Sequence, residues 1–158
     1  IFSPYYQALT TNERQSVSLF ESFNKDNQLI SDSMAEKIKT CITSTENHLD
    51  NQFNATNLTK IMLDISLSSF AKPVLEVFRD SDKIFEEYSV LGLPKMAMLE
   101  NRISFLNTLL KKKRMFYTQY FYETYEDVAK RQLAMSIDLS EETLENYRTA
   151  DILVKSWP

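Results

Sequence analysis

The sequence predicts an all-α protein: a single helical domain over residues 1–158, folded as an antiparallel and elongated bundle of five to six helices. Three observations predict it. The chain holds one glycine and four prolines in 158 residues, whereas tight hairpin turns and sheet corners draw on glycine for positive φ. Apolar residues recur at spacings of three and four, and no run alternates with the period of two that a half-buried strand requires. Finally, Lys95 to Ala134 contains neither Gly nor Pro. An unbroken helix over 95–134 would be about 60 Å long, against a diameter near ~40 Å for a compact chain of this size.

Residues 1–9 read as an extended arm, with Pro4 and the pair Tyr5-Tyr6 suited to packing on another surface. Thr10 and Glu13 then have capping-box spacing, and a first helix is expected from about Thr11 to Asn24. Val17, Leu19, Phe20 and Phe23 supply its short apolar face, and Asn24-Lys25-Asp26-Asn27 is turn chemistry. A second helix is expected from about Asp32 to Asn51. Ile30, Met34, Ile38, Cys41, Ile42, Thr45, Leu49 and Phe53 form its stripe, and Glu36, Lys37, Lys39, Glu46 and Asp50 its polar face.

Asn57 is placed as the cap of a third helix carrying Leu58, Ile61, Met62, Ile65 and Phe70. Pro73 interrupts, and the period resumes through Val74, Val77, Phe78, Ile84, Phe85, Tyr88 and Leu91. Gly92 with Pro94 just beyond is a stop signal, because glycine takes the left-handed conformation that ends a helix. In the long central stretch Met96, Leu99, Ile103, Leu106 and Leu110 form a seam whose next position is Lys113. The apolar row restarts as Tyr117, Phe121, Tyr125 and Val128, so the helix should unwind slightly near Lys113 or change partners. Ser136-Ile137-Asp138-Leu139 is expected to be a turn. Ser140 then caps a last helix whose stripe is Leu144, Tyr147, Leu153, Val154 and Trp157.

Composition narrows the chemistry. A net charge of -4 argues against nucleic acid, whose ligands normally carry a basic excess. No run of some twenty apolar residues is long enough to span a bilayer. Cys41 is the lone cysteine and His48 the lone histidine, and neither has a ligand or base at matching spacing. There is no glycine-rich phosphate loop, no nucleophile elbow and no metal-ligand set. No enzyme activity and no cofactor are therefore expected.

The expected function is a non-catalytic protein–protein interaction or scaffold module, binding a protein partner or self-associating into an oligomer. Two clusters carry that expectation. Phe116, Tyr117, Tyr120, Phe121, Tyr122 and Tyr125 would surround a continuous helix, so one neighbour cannot bury them all; they fit an interface or the middle of a bundle. Lys111, Lys112, Lys113 and Arg114 form a basic run that fits a solvated band paired with Asp80, Asp82, Glu86 and Glu87, or a patch for an acidic partner or anionic membrane. The alternatives are a secreted or periplasm-like carrier of an apolar ligand, and a peripheral membrane-binding protein. Asn54-Ala55-Thr56 and Asn57-Leu58-Thr59 are sequons, which makes Asn54 and Asn57 candidate glycosylation positions, although the same residues serve as helix-start chemistry.

Overall fold

The computed structural model describes residues 12–47, 55–90 and 92–156, with the side chains of 47 and 153–156 outside the description. All regular structure among these residues is helical. The expectations for the arm, His48, Leu49, Phe53, Asn54, Leu91 and Trp157 lie outside the described residues. Six α-helices follow in order: α1 (Asn12–Asn27), α2 (Asp32–Ser44), α3 (Asn57–Ser68), α4 (Val74–Ser89), α5 (Lys95–Leu110) and α6 (Gln119–Ser156). Short 3-10 turns, Thr45–Asn47 and Ser69–Ala71, extend α2 and α3.

Local chemistry sets several of these ends. Ser31 caps α2 by accepting the Met34 N–H, and Thr56 caps α3 by accepting that of Thr59. Asn57, the expected cap, is thus the first helical residue of α3, one place after the actual cap Thr56. Gly92 adopts φ 76, the left-handed conformation expected of the residue that stops α4.

The main core lies between the α5–α6 hairpin and the α3 end. Leu67, Leu106, Leu109, Met115, Phe116, Ala129, Leu133 and Ile137 form one buried cluster, and Phe85, Leu99 and Leu144 a second one further along. Arg102 ties three helices together: its guanidinium donates to the Val77 carbonyl at 3.4 Å and to Ser136 Oγ at 3.2 Å. Burial pushes its pKa down to about 10, with Asp82 opposing that shift, so it stays charged at neutral pH. By contrast α1 contributes no buried residue.

The structure corrects two expectations about helix boundaries. There is no continuous helix over 95–134, because residues 111–118 are not helical and separate α5 from α6. The chain leaves the helix just before Lys113, the next seam position, where carboxylates from α3 and α6 take over the backbone N–H groups of 115–118. Nor does a turn fall at Ser136–Leu139: α6 runs through it for 38 residues. Ser136 and Ser140 are fully buried, and the Ser140 hydroxyl donates to the Ser136 carbonyl at 2.7 Å within the helix. Such a back-bonded serine is satisfied without ending a helix, and its small side chain lets another element approach closely.

A third correction concerns α3. Its buried residues are Thr59, Leu63, Asp64 and Leu67. Of the expected stripe Leu58, Ile61, Met62, Ile65 and Phe70, the first four face outward, each between 38% and 54% exposed, while Phe70 packs against the main cluster.

Candidate interaction site at the α5–α6 break

Eight residues out of helix, 111–118, leave a row of backbone N–H groups to be satisfied. Two carboxylates meet them. Glu126, on the first turns of α6 and 5% exposed, accepts the Met115 N–H on both oxygens at 2.9 and 3.0 Å and the Phe116 N–H at 3.1 Å. Asp64, from α3 and 0% exposed, accepts the Tyr117 N–H at 2.7 Å, the Thr118 N–H at 2.8 Å and the Thr118 hydroxyl at 2.6 Å. Four consecutive amides are thereby held by two buried acids. Asp64 also places a negative charge at the N-terminal end of α6, where the helix dipole favours it.

Cations complete the cradle. Lys130 sits one turn beyond Glu126 and pairs with it at 2.8 Å, while donating to the Lys112 and Lys113 carbonyls at 2.9 and 3.3 Å. Arg114 folds back on its own segment, donating to the carbonyls of Phe116 at 2.7 Å and Tyr117 at 3.5 Å and to Gln119 Oε1 at 3.4 Å. Its guanidinium carbon lies 4.5 Å from the centroid of the Tyr122 ring. A buried carboxylate needs compensation: Glu126 is both paired with Lys130 and hydrogen-bonded, whereas Asp64 is held by three hydrogen bonds at the N-terminal end of α6.

The basic run is therefore divided. Lys111 and Lys113 are exposed, whereas Arg114 binds its own segment and the Lys112 ammonium lies 6.0 Å from the Tyr117 ring centroid. Asp80, expected to pair with this run, pairs instead with Lys72 at 3.1 Å and Lys83 at 3.5 Å.

The aromatics divide in the same way. Phe116 is buried in the main cluster and presents nothing to a partner. Tyr117, Phe121 and Tyr125 are half-buried against that cluster, with Phe121 stacked on Phe116 at 6.0 Å and tilted to Tyr125 at 5.5 Å. Tyr120 is 66% exposed, set edge-on to Phe121 at 5.5 Å. Phe116 and Tyr117 precede α6, so no helix has to bury aromatics all round.

An open groove of about 490 Å³ lies where the start of α3 meets this segment, lined by Asn57, Lys60, Ile61 and residues 117–121. The outward row Leu58, Ile61, Met62 and Ile65 continues along α3 from it. Lys60 is the groove's one charged lining residue, and no carboxylate among the described residues pairs with it. Asn57 is exposed, but Thr59, the hydroxyl of its sequon, is buried with Oγ1 3.0 Å from that of Thr56. Among the described residues no cluster of His, Cys, Asp or Glu is arranged to hold a metal ion.

Sequence reasoning missed Asp64, Glu126, Lys130 and Lys60. One signal for Asp64 existed: it is the only acid inside the apolar run Ile61-Met62-Leu63-Asp64-Ile65. Glu126 and Lys130 at i,i+4 look like any surface helix pair. Comparison with known proteins gives no relative: no family model matches the chain, and no curated protein or solved structure does.

Proposed function

We propose that the protein is a non-catalytic helical interaction module that docks a segment of a protein partner in the groove between α3 and the start of α6. The observation that carries this reading is the outward apolar row Leu58, Ile61, Met62 and Ile65, continuous with a groove that contains exposed Tyr120 and Lys60, which has no carboxylate partner among the described residues. Four apolar residues at i, i+3, i+4 and i+7 normally turn inward, because burying each is worth about 2 kcal/mol. Here the inner position belongs to Leu63, Asp64 and Leu67, of which Asp64 holds the α5–α6 break and Leu67 joins the main cluster, and the wider apolar face is left for another molecule.

The chemistry of the groove specifies the partner. Tyrosine and methionine give large contact area with little directional demand, and one ammonium amid apolar lining favours a carboxylate beside apolar anchors. The fitting ligand is an amphipathic segment with an Asp or Glu next to its apolar residues. The groove binds rather than transforms, since no group in it combines a nucleophile with a base.

A photo-crosslinking amino acid at position 61, compared with one at exposed Leu75 on α4, tests the reading in cells that express the protein. One discrete protein adduct from position 61, absent from position 75 and abolished by Lys60→Glu, is expected. Equal labelling at both positions, adducts to lipid alone, or none would overturn it.

A further inference from the structure

We infer that residues 111–118 are a hinge, and that two copies of the chain exchange α6 by straightening α5 and α6 into one continuous helix. The argument starts from a conflict between local and tertiary preference. From Lys95 to Ser156 there is no glycine and no proline, and Lys111 to Met115 are all good helix formers. A common way for a helix to end by its own chemistry is a left-handed residue, and here none is used. Among the described residues only Gln28 and Gly92 have positive φ. Lys111, at the end of α5, is still right-handed with φ -71 and ψ -13.

What bends the chain comes from outside the segment. Asp64, on α3, holds Tyr117 and Thr118; Glu126 and Lys130, on α6, hold the amides of Met115 and Phe116 and the carbonyls of Lys112 and Lys113. In a continuous helix each of these backbone groups finds a partner four residues away, so none is orphaned by straightening. The two carboxylates that were buried around the bend then reach solvent, which removes their desolvation.

Straightening separates α6 from the rest of its own chain. The surface it leaves includes the fully buried Leu67, Leu99, Leu106 and Leu109, which cannot stay exposed. The one element that fits it without new complementarity is the α6 of a second copy, which restores every side-chain contact outside the hinge. That is a domain swap, an inexpensive route to a dimer when a hinge has two acceptable conformations. This inference does not rest on the groove's partner. Since residues 117–121 line the groove, the exchanged dimer lacks it.

Refolding from denaturant at high protein concentration, followed by size exclusion with light scattering, tests the hinge. The variant Asp64→Asn/Glu126→Gln weakens the clamp and is expected to raise the dimer fraction at least about tenfold over the unaltered chain. Adding Lys113→Pro, which a helix interior does not tolerate, returns it to monomer. A clamp variant that stays monomeric, or a dimer that Lys113→Pro leaves unchanged, overturns the proposal. If the clamp variant does not fold, deletion of 112–115 in the otherwise unaltered chain decides instead: an obligate dimer is expected, and a folded monomer overturns it. Glu100 and Arg148 face each other across α5 and α6 at 2.9 Å, so a short bis-maleimide linker separates swapped from side-by-side dimers. In a mixture of E100C and R148C chains, both with Cys41→Ser, it joins unlike chains only after exchange.

Discussion

The α5–α6 hairpin and the α1–α2 pair are each two helices packed side by side, and they hold together by different means. The hairpin closes over a core of large side chains and fixes its turn with two buried acids. In α1, Leu19 is 74% exposed and Phe23 also faces out, and no residue is buried. Among the described residues Val17 and Phe20 are half-buried, and the polar attachments of α1 are peripheral: Lys39 of α2 pairs with Glu21 at 2.8 Å, and Asn12 donates to the Tyr88 hydroxyl at 2.9 Å. The pair Lys39–Glu21, with Glu36 at 2.6 Å, raises the Lys39 pKa through those two hydrogen bonds, yet exposed pairs stabilise little. Periodicity therefore shows that a helix has an apolar face, whereas the neighbours decide how much stability that face provides.

Truncation is the harshest way to sharpen the contrast. Leu106→Ala, in the fully buried centre of the hairpin, should lower the unfolding free energy by about 3 kcal/mol, while Phe23→Ala on α1 should change it by no more than about 0.5 kcal/mol. Denaturant titration of both variants measures this. Equal losses would mean that α1 contributes to the cooperative core.

The buried acids come next. Asp64→Asn keeps the shape but turns an NH2 group toward backbone donors that the carboxylate accepts. A loss of about 2 kcal/mol is expected, and hydrogen exchange should accelerate first at Tyr117 and Thr118. Unchanged protection at those amides would show that other groups hold the bend.

The smallest effect is electrostatic. Hydrogen bonding from Lys72, then its charge, lowers the Asp80 pKa below its usual 3.8. The sign follows from linkage: a depressed carboxylate contributes stability that is fully present above pH 3.8 and is lost as pH falls through its lower folded value. Thermal melts of the unaltered chain and Asp80→Asn should differ slightly at neutral pH. That difference should vanish in acid and shrink in high salt, and its persistence in acid would assign it to another cause.

Much of the fold was legible from residue patterns. The near absence of glycine and the spacing of three and four predicted helices, and Gly92 marked the end of α4. The failed seam at Lys113 correctly located a disturbance. It did not show its size, because the depth of the break depends on Asp64, which is remote in sequence and reaches Tyr117 and Thr118 only once α3 is docked. The Ser136–Ser140 stretch misled for a related reason: serine caps helices in solvent and fills tight contacts in cores with the same atoms. Of the candidate site, Tyr117, Tyr120 and Phe121 were found from composition, while Lys60 and the outward row of α3 depend on which face of that helix is covered.

By itself the sequence determined that the chain is helical, because backbone propensity, patterning and the shortage of glycine are local and agree with one another. It also predicts one long helix, but places it over 95–134. Only the tertiary structure decided that this helix is Gln119–Ser156 rather than 95–134. Its start depends on two buried carboxylates finding four backbone amides, and hydrogen bonds of that kind gain their strength only after water has been excluded.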